Sequence, residues 1–327
     1  MISVIGKQER ALYRVYHLAK AFFPEQVIKQ KQNMTQEPLL HIRYQRGSCF
    51  YECKIFTEQE LPSQSYDFFA KITENNLPWG VLTGVRPTKL VERLVAEEDM
   101  TINEIASVLQ DKYRLSQAKS QLLLTVFQKE KALLAAQGYD EESHKEKGYK
   151  DFSLYIGIPF CPSICSYCSF SSSPFSQYQN VIPDYLLALY QELAVISQAT
   201  KELQLATIYI GGGTPTCLSA PQLEQLLSEI DRLFPTAQVK EYTLEAGRAD
   251  TISQEKLQII KNFPISRISI NPQTMQQETL RRVNRQHQVE DVKMAYEWAR
   301  EEGFNNINMD IIAGLPGEWW RRYLLKF

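Results

Sequence analysis

The chain is predicted to be an α/β protein, with a parallel sheet wound into a partial (β/α) barrel over residues 151–327 and a smaller α+β domain over 1–137. Three observations predict this. Beyond residue 150, short apolar runs alternate with amphipathic stretches, the pattern of strands joined by crossover helices. Glycine-containing loops follow the first apolar runs, where a β/α barrel places its chemistry. Between the two regions, GYDEESHKEKGYK (138–150) is charged, carries two glycines and has no apolar face, the composition of a linker.

Within the amino-terminal region, residues 12–22 read as a short helix. PLLHIRYQRGSCFYECKIF (38–56) reads as two strands joined at Gln45-Arg46-Gly47. Residues 88–137 are predicted to be mainly helical. Thr101 followed by Glu104 is a capping-box pattern, and Leu122, Leu123, Phe127 and Leu133 supply apolar positions at helical intervals. Past the linker, strands are predicted at Leu154 to Pro159, Ala206 to Ile210, Tyr242 to Glu245, Arg267 to Ile270 and Ile307 to Ile312. Helices over about 184–198, 221–234, 253–262 and 288–302 alternate with them. In the second of these, Leu223, Leu226, Leu227, Ile230 and Phe234 form one stripe, and Ser219 with Gln222 resembles a capping box.

The length of 327 residues, with 44% hydrophobic and 23% charged, suits a globular protein of two domains. A formal charge of -2 gives no global reason to bind nucleic acid or anionic lipid. No apolar run approaches the roughly 20 residues that span a bilayer, and the first residues have no secretory pattern. A cytoplasmic protein is expected, in which six cysteines serve metal ligation or catalysis rather than disulfides.

The chemistry concentrates at strand ends. The first predicted barrel strand runs into CPSICSYC, so Cys161, Cys165 and Cys168 share one loop. Zinc sites usually show two-residue-spaced pairs with a fourth Cys or His nearby, and no His lies between 145 and 286. Three thiolates suit three irons of a cubane, leaving the fourth iron open. The next strand ends in GGGTP (211–215), where a backbone free of side chains can approach a ligand. Later strands end in Glu245, Gln273 and Asp310, with Arg285 close behind the fourth. Cys49 and Cys53, four apart in a strand, are expected to be buried structural thiols, and Cys217 inert packing. Arg86 and Lys89 precede or open a helix, a place where an anion could sit, although a turn and cap explain GVRPTK as well. The charged runs at 97–99 and 143–147 read as solvated surface.

CPSICSYC has the CxxxCxYC form that resembles the cluster signature of radical S-adenosylmethionine (SAM) enzymes. That resemblance implies a 4Fe-4S cluster on Cys161, Cys165 and Cys168, with SAM on the open iron cleaved to methionine and a 5′-deoxyadenosyl radical. YIGIPFCPSICSYCSF, GGGTPT, TLEAGR, RISINPQT with RRVNRQ, and MDIIAGLPGE narrow it to the oxygen-independent coproporphyrinogen III oxidase/dehydrogenase group, HemZ-type branch. The resemblance implies SAM contacts from Tyr155, Gly212, Gly213, Thr214, Glu245, Gln273, Arg285 and Asp310, with Tyr167 against the adenine. It also implies oxidative decarboxylation of two coproporphyrinogen III propionates to vinyls in haem biosynthesis, fed by a small electron donor such as flavodoxin or ferredoxin. No residue is singled out as catalytic. The alternative is a haem-binding or haem-transfer protein that keeps the cofactors without decarboxylation.

Two departures bear on that choice. Gly157 stands where better-known members have histidine, and Phe170 where they have cysteine. The segment WWRRYLLKF after GLPGE puts two arginines at the start of a would-be helix, against the dipole. Five strands against an expected six, with this ending, lead to the expectation of a truncated, poorly active chain.

Overall fold

The computed structural model describes residues 2–32, 38–84, 86–98, 100–136 and 151–318. The chain divides into two compact units, Met1–Asp140 and Glu141–Phe327. The linker, the 143–147 charge run and WWRRYLLKF lie outside the described residues, as do the side chains of 97–99.

In the first unit, β1 (Ile2–Gly6) leads through α1 (Glu9–Phe22) to β2 (Ile28–Gln32), which pairs with β1 in parallel. A hairpin of β3 (Leu40–Arg46) and β4 (Cys49–Ile55) completes a sheet of order β2-β1-β3-β4. Gly47, with φ of 60°, supplies the left-handed turn residue of this hairpin. α1 buries Leu12, Val15, Leu18 and Phe22 against the sheet and against α2 (Leu61–Thr73). β1, β2 and α2 are additions to the predicted elements. A second core forms between α3 (Thr88–Glu98), α4 (Ile102–Asp111) and α5 (Gln117–Ala136), where Leu94, Leu109, Leu123 and Phe127 meet. The Thr101–Glu104 capping box is present. Leu122 and Leu133 do not join this core and face outward, because α5 packs through one side only. The expectation of buried thiols also fails at Cys49, which is exposed, while Cys53 is half-buried with its thiol pKa pushed up by burial. β4 is an edge strand whose residues before Ile55 stay largely open to solvent.

The second unit is a five-stranded parallel sheet of order β11-β10-β9-β8-β5, an open arc of a β/α barrel. Its strands are β5 (Asp151–Ile158), β8 (Gln204–Gly212), β9 (Glu241–Glu245), β10 (Arg267–Ser269) and β11 (Ile307–Asn308). Two-residue strands β6 (Phe160–Cys161) and β7 (Ser173–Pro174) pair outside it. After α6 (Phe175–Tyr178) come α7 (Ile182–Ala199), α8 (Ala220–Leu233), α9 (Gln254–Lys261), α10 (Gln277–Arg282) and α11 (Val289–Glu301). The predicted alternation holds, with α10 an addition and β11 shorter than expected. The Ser219–Gln222 capping box starts α8, whose Leu223, Leu226, Leu227 and Ile230 are fully buried. Each such side chain contributes roughly 1.5–3 kcal/mol by leaving water.

Strand alternation then creates the site. Leu154, Ile156 and Ile158 of β5, with Ile208 and Ile210 of β8, point into the helix-covered core. Their neighbours fall on the opposite face, in register: Tyr155, Tyr209 and Thr243 across one row, with Gly157 opposite Gly211 and Glu245 opposite Ser269 farther along. That second face carries tyrosine, glycine and carboxylate where a core would carry aliphatics.

Candidate functional site

The cysteine loop leaves β5 at Ile158 and is closed at its base by the pairing of Phe160 and Cys161 with Ser173 and Pro174. Cys161 and Cys165 are buried and Cys168 half-buried, and the Cys168 amide donates to the Cys165 carbonyl at 3.0 Å. Among the described residues, no three His, Cys, Asp or Glu side chains converge on one point as a mononuclear ion requires. A cubane asks for a different arrangement, one thiolate per iron at separated corners.

The loop is laced to residues 283–285. The Ser166 amide donates to the Val283 carbonyl at 3.1 Å, and the Ser163 hydroxyl to the Asn284 carbonyl at 2.8 Å. The Asn284 side-chain amide returns a 2.8 Å bond to the Ile164 carbonyl. Asn284 holds a left-handed φ of 60°, which asparagine tolerates better than most residues.

Two guanidiniums are buried against this loop. Arg285, 5% exposed, donates to Tyr167 Oη at 3.1 Å and to the carbonyls of Gly247 (2.8 Å) and Asn271 (2.5 Å), and Cys165 Sγ is 4.0 Å away. Its Nε is buried without a hydrogen-bond partner. Arg248, 3% exposed, donates to the Ser163 carbonyl at 3.1 Å and hydroxyl at 3.2 Å, approaches Cys165 Sγ at 3.8 Å, and pairs with Asp250 through 3.0 and 2.8 Å bonds. Burial pulls the Arg248 pKa down, but the Asp250 carboxylate and the thiols of Cys165 and Cys161 outweigh it and leave it raised. His287 sits 4.0 Å from Asp250 with both ring nitrogens buried and unpartnered. Burial, then the charges of Arg285 and Arg248, push its pKa down to about 4, so it is neutral. Two guanidiniums therefore face one carboxylate at Cys165. Buried charge needs compensation, and a thiolate-bound iron–sulfur cluster, anionic overall, fits this excess. The fit favours an iron–sulfur group at these thiols over three protonated ones.

The glycine loop packs beside the cysteines. A Cβ on Gly213 would lie 2.7 Å from the Phe160 carbonyl oxygen and 3.0 Å from Cys161 Sγ. Gly212 has φ of 101°, and a Cβ there would meet the backbone of Ile158 at 3.0 Å. These glycines thus let two strand ends meet. Thr214 is buried with Oγ1 3.5 Å from Cys161 Sγ. Cys217, also near Cys161, is a half-buried thiol whose pKa burial pushes up to about 12.

On the sheet face, Tyr209 donates to Glu245 Oε1 at 2.5 Å, and the exposed Tyr155 ring stacks on Tyr209 at 5.8 Å and 13°. Burial raises the Glu245 pKa, which the Tyr209 hydrogen bond partly counters and Asp310 reinforces. Tyr167 is exposed at its edge, yet the burial of its phenol pushes that group up to about 12, against the pull of Arg285. Gln273 holds a φ of 61°, rare for a residue with a side chain, and its backbone is fixed by bonds to Asp310 and Ile312 at 3.0 and 2.9 Å. Asp310 is exposed and accepts from Asn308 at 2.8 Å. Gly157 is unlike the glycines of 211–213: a Cβ there would meet only Tyr155 Cε1, at 3.5 Å. It borders a cavity of about 300 Å3 shared with Phe170, Tyr185 and Gly212.

Every predicted site residue is thus on this end of the sheet. Arg285 is buried, and its Nη2 is taken by two carbonyls. Arg248, Asp250, His287 and Asn284 were not foreseen. Arg248 carried the same signal that marked Glu245, a charged residue at the carboxyl end of a strand. Arg86 and Lys89, in the other unit, border a groove of about 700 Å3 with Trp79, Leu122 and Leu134.

Residues 155–323 match the family described as the Radical SAM superfamily. The chain is 38% identical over 243 residues to the oxygen-independent coproporphyrinogen-III oxidase-like protein HemZ of Bacillus subtilis (strain 168), covering 73% of this chain and 47% of that protein. It is 44% identical over 167 residues to the heme chaperone HemW of the same organism, covering 51% of this chain and 43% of HemW. Among solved structures it resembles coproporphyrinogen III oxidase (HemN) from Escherichia coli, described as a radical SAM enzyme, with 26% identity and a TM-score of 0.50 over 58% of this chain and 44% of that one. The chain spans about half the length, or less, of these relatives.

Proposed function

The chain belongs to the Radical SAM superfamily, and from that premise we propose that Cys161, Cys165 and Cys168 hold its 4Fe-4S cluster and that the unit acts on tetrapyrrole propionates. Bound together, the cluster and SAM supply a carbon-centred radical for hydrogen abstraction, chemistry that belongs to the cofactors. The protein's part is to bind, orient and shield. The thiolates of Cys161, Cys165 and Cys168 would hold the cluster, and the cluster would supply the place at which SAM is held. Gly212, Gly213 and Thr214 offer backbone and hydroxyl groups beside Cys161. Glu245, oriented by Tyr209, and Asp310 are the carboxylates assigned to the amino group and ribose. Gln273 lines the same wall, and Tyr155 and Tyr167 provide flat surfaces. Arg285 meets the carboxylate only through its remaining donors, since Nη2 is committed to the backbone.

The observation that carries the cluster assignment is the surplus of buried guanidinium at Cys165. For the substrate, the support is the likeness to HemZ and HemN, whose names are those of a coproporphyrinogen III oxidase-like protein and a coproporphyrinogen III oxidase; the reaction proposed is oxidative decarboxylation of coproporphyrinogen III to protoporphyrinogen IX, with a flavodoxin or ferredoxin proposed as electron donor. A second reading, haem binding or transfer without decarboxylation, is favoured by the 44% identity to HemW and by Gly157 and Phe170. Among the described residues no helix is long and apolar enough to cross a membrane.

The test is anaerobic incubation of the reconstituted chain, in parallel with full-length Bacillus subtilis HemZ, with SAM, reductant and either coproporphyrinogen III or haem. A product lacking two carboxyl groups supports the first reading. Stable haem retention with unchanged coproporphyrinogen supports the second. A full cluster in Cys165→Ala overturns the ligand assignment itself.

A further inference from the structure

Arg248 is the most buried charged side chain of the site, at 3% exposure, and it sits between the cysteine loop and Asp250. A salt bridge alone does not explain its position. Only one edge of its fork goes to Asp250, through Nε and Nη2. Nη1 is turned instead to the Ser163 carbonyl, the Ser163 hydroxyl and Cys165 Sγ, and Nη2 also reaches Ser163. Arg285 approaches Cys165 as well, at 4.0 Å, but donates to two carbonyls and a tyrosine. The groups facing this pocket are therefore two guanidiniums, one carboxylate, the neutral His287 and the thiol, with Lys256 turned away to the carbonyls of Thr216 and Thr251. A cluster that gains an electron gains a unit of negative charge in this low-dielectric space. A fixed cation close to a ligating sulfur favours that state over the oxidised one.

We propose that Arg248 is a positioning residue that holds the cysteine loop through Ser163 and whose charge raises the reduction potential of the cluster, with Asp250 setting how much of that charge is felt. This rests on the assignment of the cluster to Cys161, Cys165 and Cys168 and goes beyond it by naming what tunes it. Reduction adds one electron to the cluster, drawn from the external donor, and needs no bond made or broken by Arg248. At an effective dielectric near 20, a charge a few Å from the sulfur, about half offset by its carboxylate, changes the reduced-to-oxidised ratio about tenfold. For a one-electron couple that ratio corresponds to about 59 mV.

The experiment is an anaerobic redox titration of the reconstituted 327-residue chain, without SAM, read by the paramagnetic signal of the reduced cluster, with iron and sulfide counted in every variant. Arg248→Gln is expected to lower the midpoint by about tenfold in the ratio. Arg248→Lys keeps the charge and is expected to stay within about threefold of the parent. Asp250→Asn removes the offset and is expected to move the midpoint upward, the opposite sign. Ser163→Ala, which loses the loop contact but keeps the charge, is expected to leave the midpoint near the parent while loosening cluster retention. A parent chain that binds no cluster would sink the cluster assignment. Four irons in every variant with one common midpoint would overturn the role of Arg248 and leave that assignment standing. If Arg248→Gln loads no iron, Asp250→Asn decides alone: an upward shift supports the proposal, and an unchanged or lowered midpoint refutes it.

Discussion

His287→Leu should flatten the acid side of the stability profile of the second unit. The imidazole is fully buried, neither nitrogen has a partner, and its pKa falls from an ordinary value near 6.5 to about 4. The unfolded chain therefore takes up a proton below pH 6.5 that the folded chain refuses until about pH 4. Folded stability from this group is complete above the unfolded value and is lost as pH falls through that window. From pH 7.5 to 5.0 the loss integrates over about 1.5 pH units, or about 2 kcal/mol. Leucine has no proton to gain and suits a pocket that offers no hydrogen bonds. The charges of Arg285, Asp250, Arg248 and Asp291 act on the imidazole, and their own contributions largely cancel when parent and variant are compared at each pH. Hydrogen exchange of α8 core amides across a urea series reads this unit without contribution from the other. The gap between parent and variant should shift by about 2 kcal/mol in favour of leucine at the lower pH. An equal gap at both pH values would show that His287 takes up its proton as readily in the folded chain as in the unfolded one.

Three further outcomes are expected. Gly213→Ala should cost about 1–3 kcal/mol and lower iron content, because its Cβ meets backbone and sulfur, whereas Gly157→Ala should fold and load like the parent in melting and iron assays. Tyr209→Phe removes the hydrogen bond that counters burial at Glu245, so the pH below which SAM binding is lost should move upward in calorimetric titrations. An unmoved profile would separate Glu245 from SAM. Leu227→Ala, at a fully buried position, should cost about 2–5 kcal/mol in chemical unfolding, against about 0.5 kcal/mol or less for Leu133→Ala at an exposed one.

What was legible in the sequence was what is local. The three cysteines, the glycine run and the capping boxes are each contiguous within eight residues or fewer, so their geometry follows from backbone periodicity. Glu245, Gln273 and Asp310 were visible because the ends of parallel strands converge. The misses are non-local. The depth of Arg248 and Arg285 depends on residues 163–167 and 247–271 meeting them across the fold. Cys49 reads as a buried thiol because it lies four residues from Cys53 in a strand, yet only the sheet order reveals that β4 has no neighbour on one side. β1 and β2 were overlooked because ISVIG is short and IKQKQ is mostly polar, and their pairing needs the whole of α1 between them.

Gly157 leaves a different kind of trace. Its backbone does not require glycine, and its neighbours leave ordinary room for a Cβ. The hollow it borders is shared with Phe170, Tyr185 and Gly212. Alanine could be installed there on an otherwise unchanged scaffold. Adding a methyl group at 157 thus changes the lining of that hollow at little structural cost.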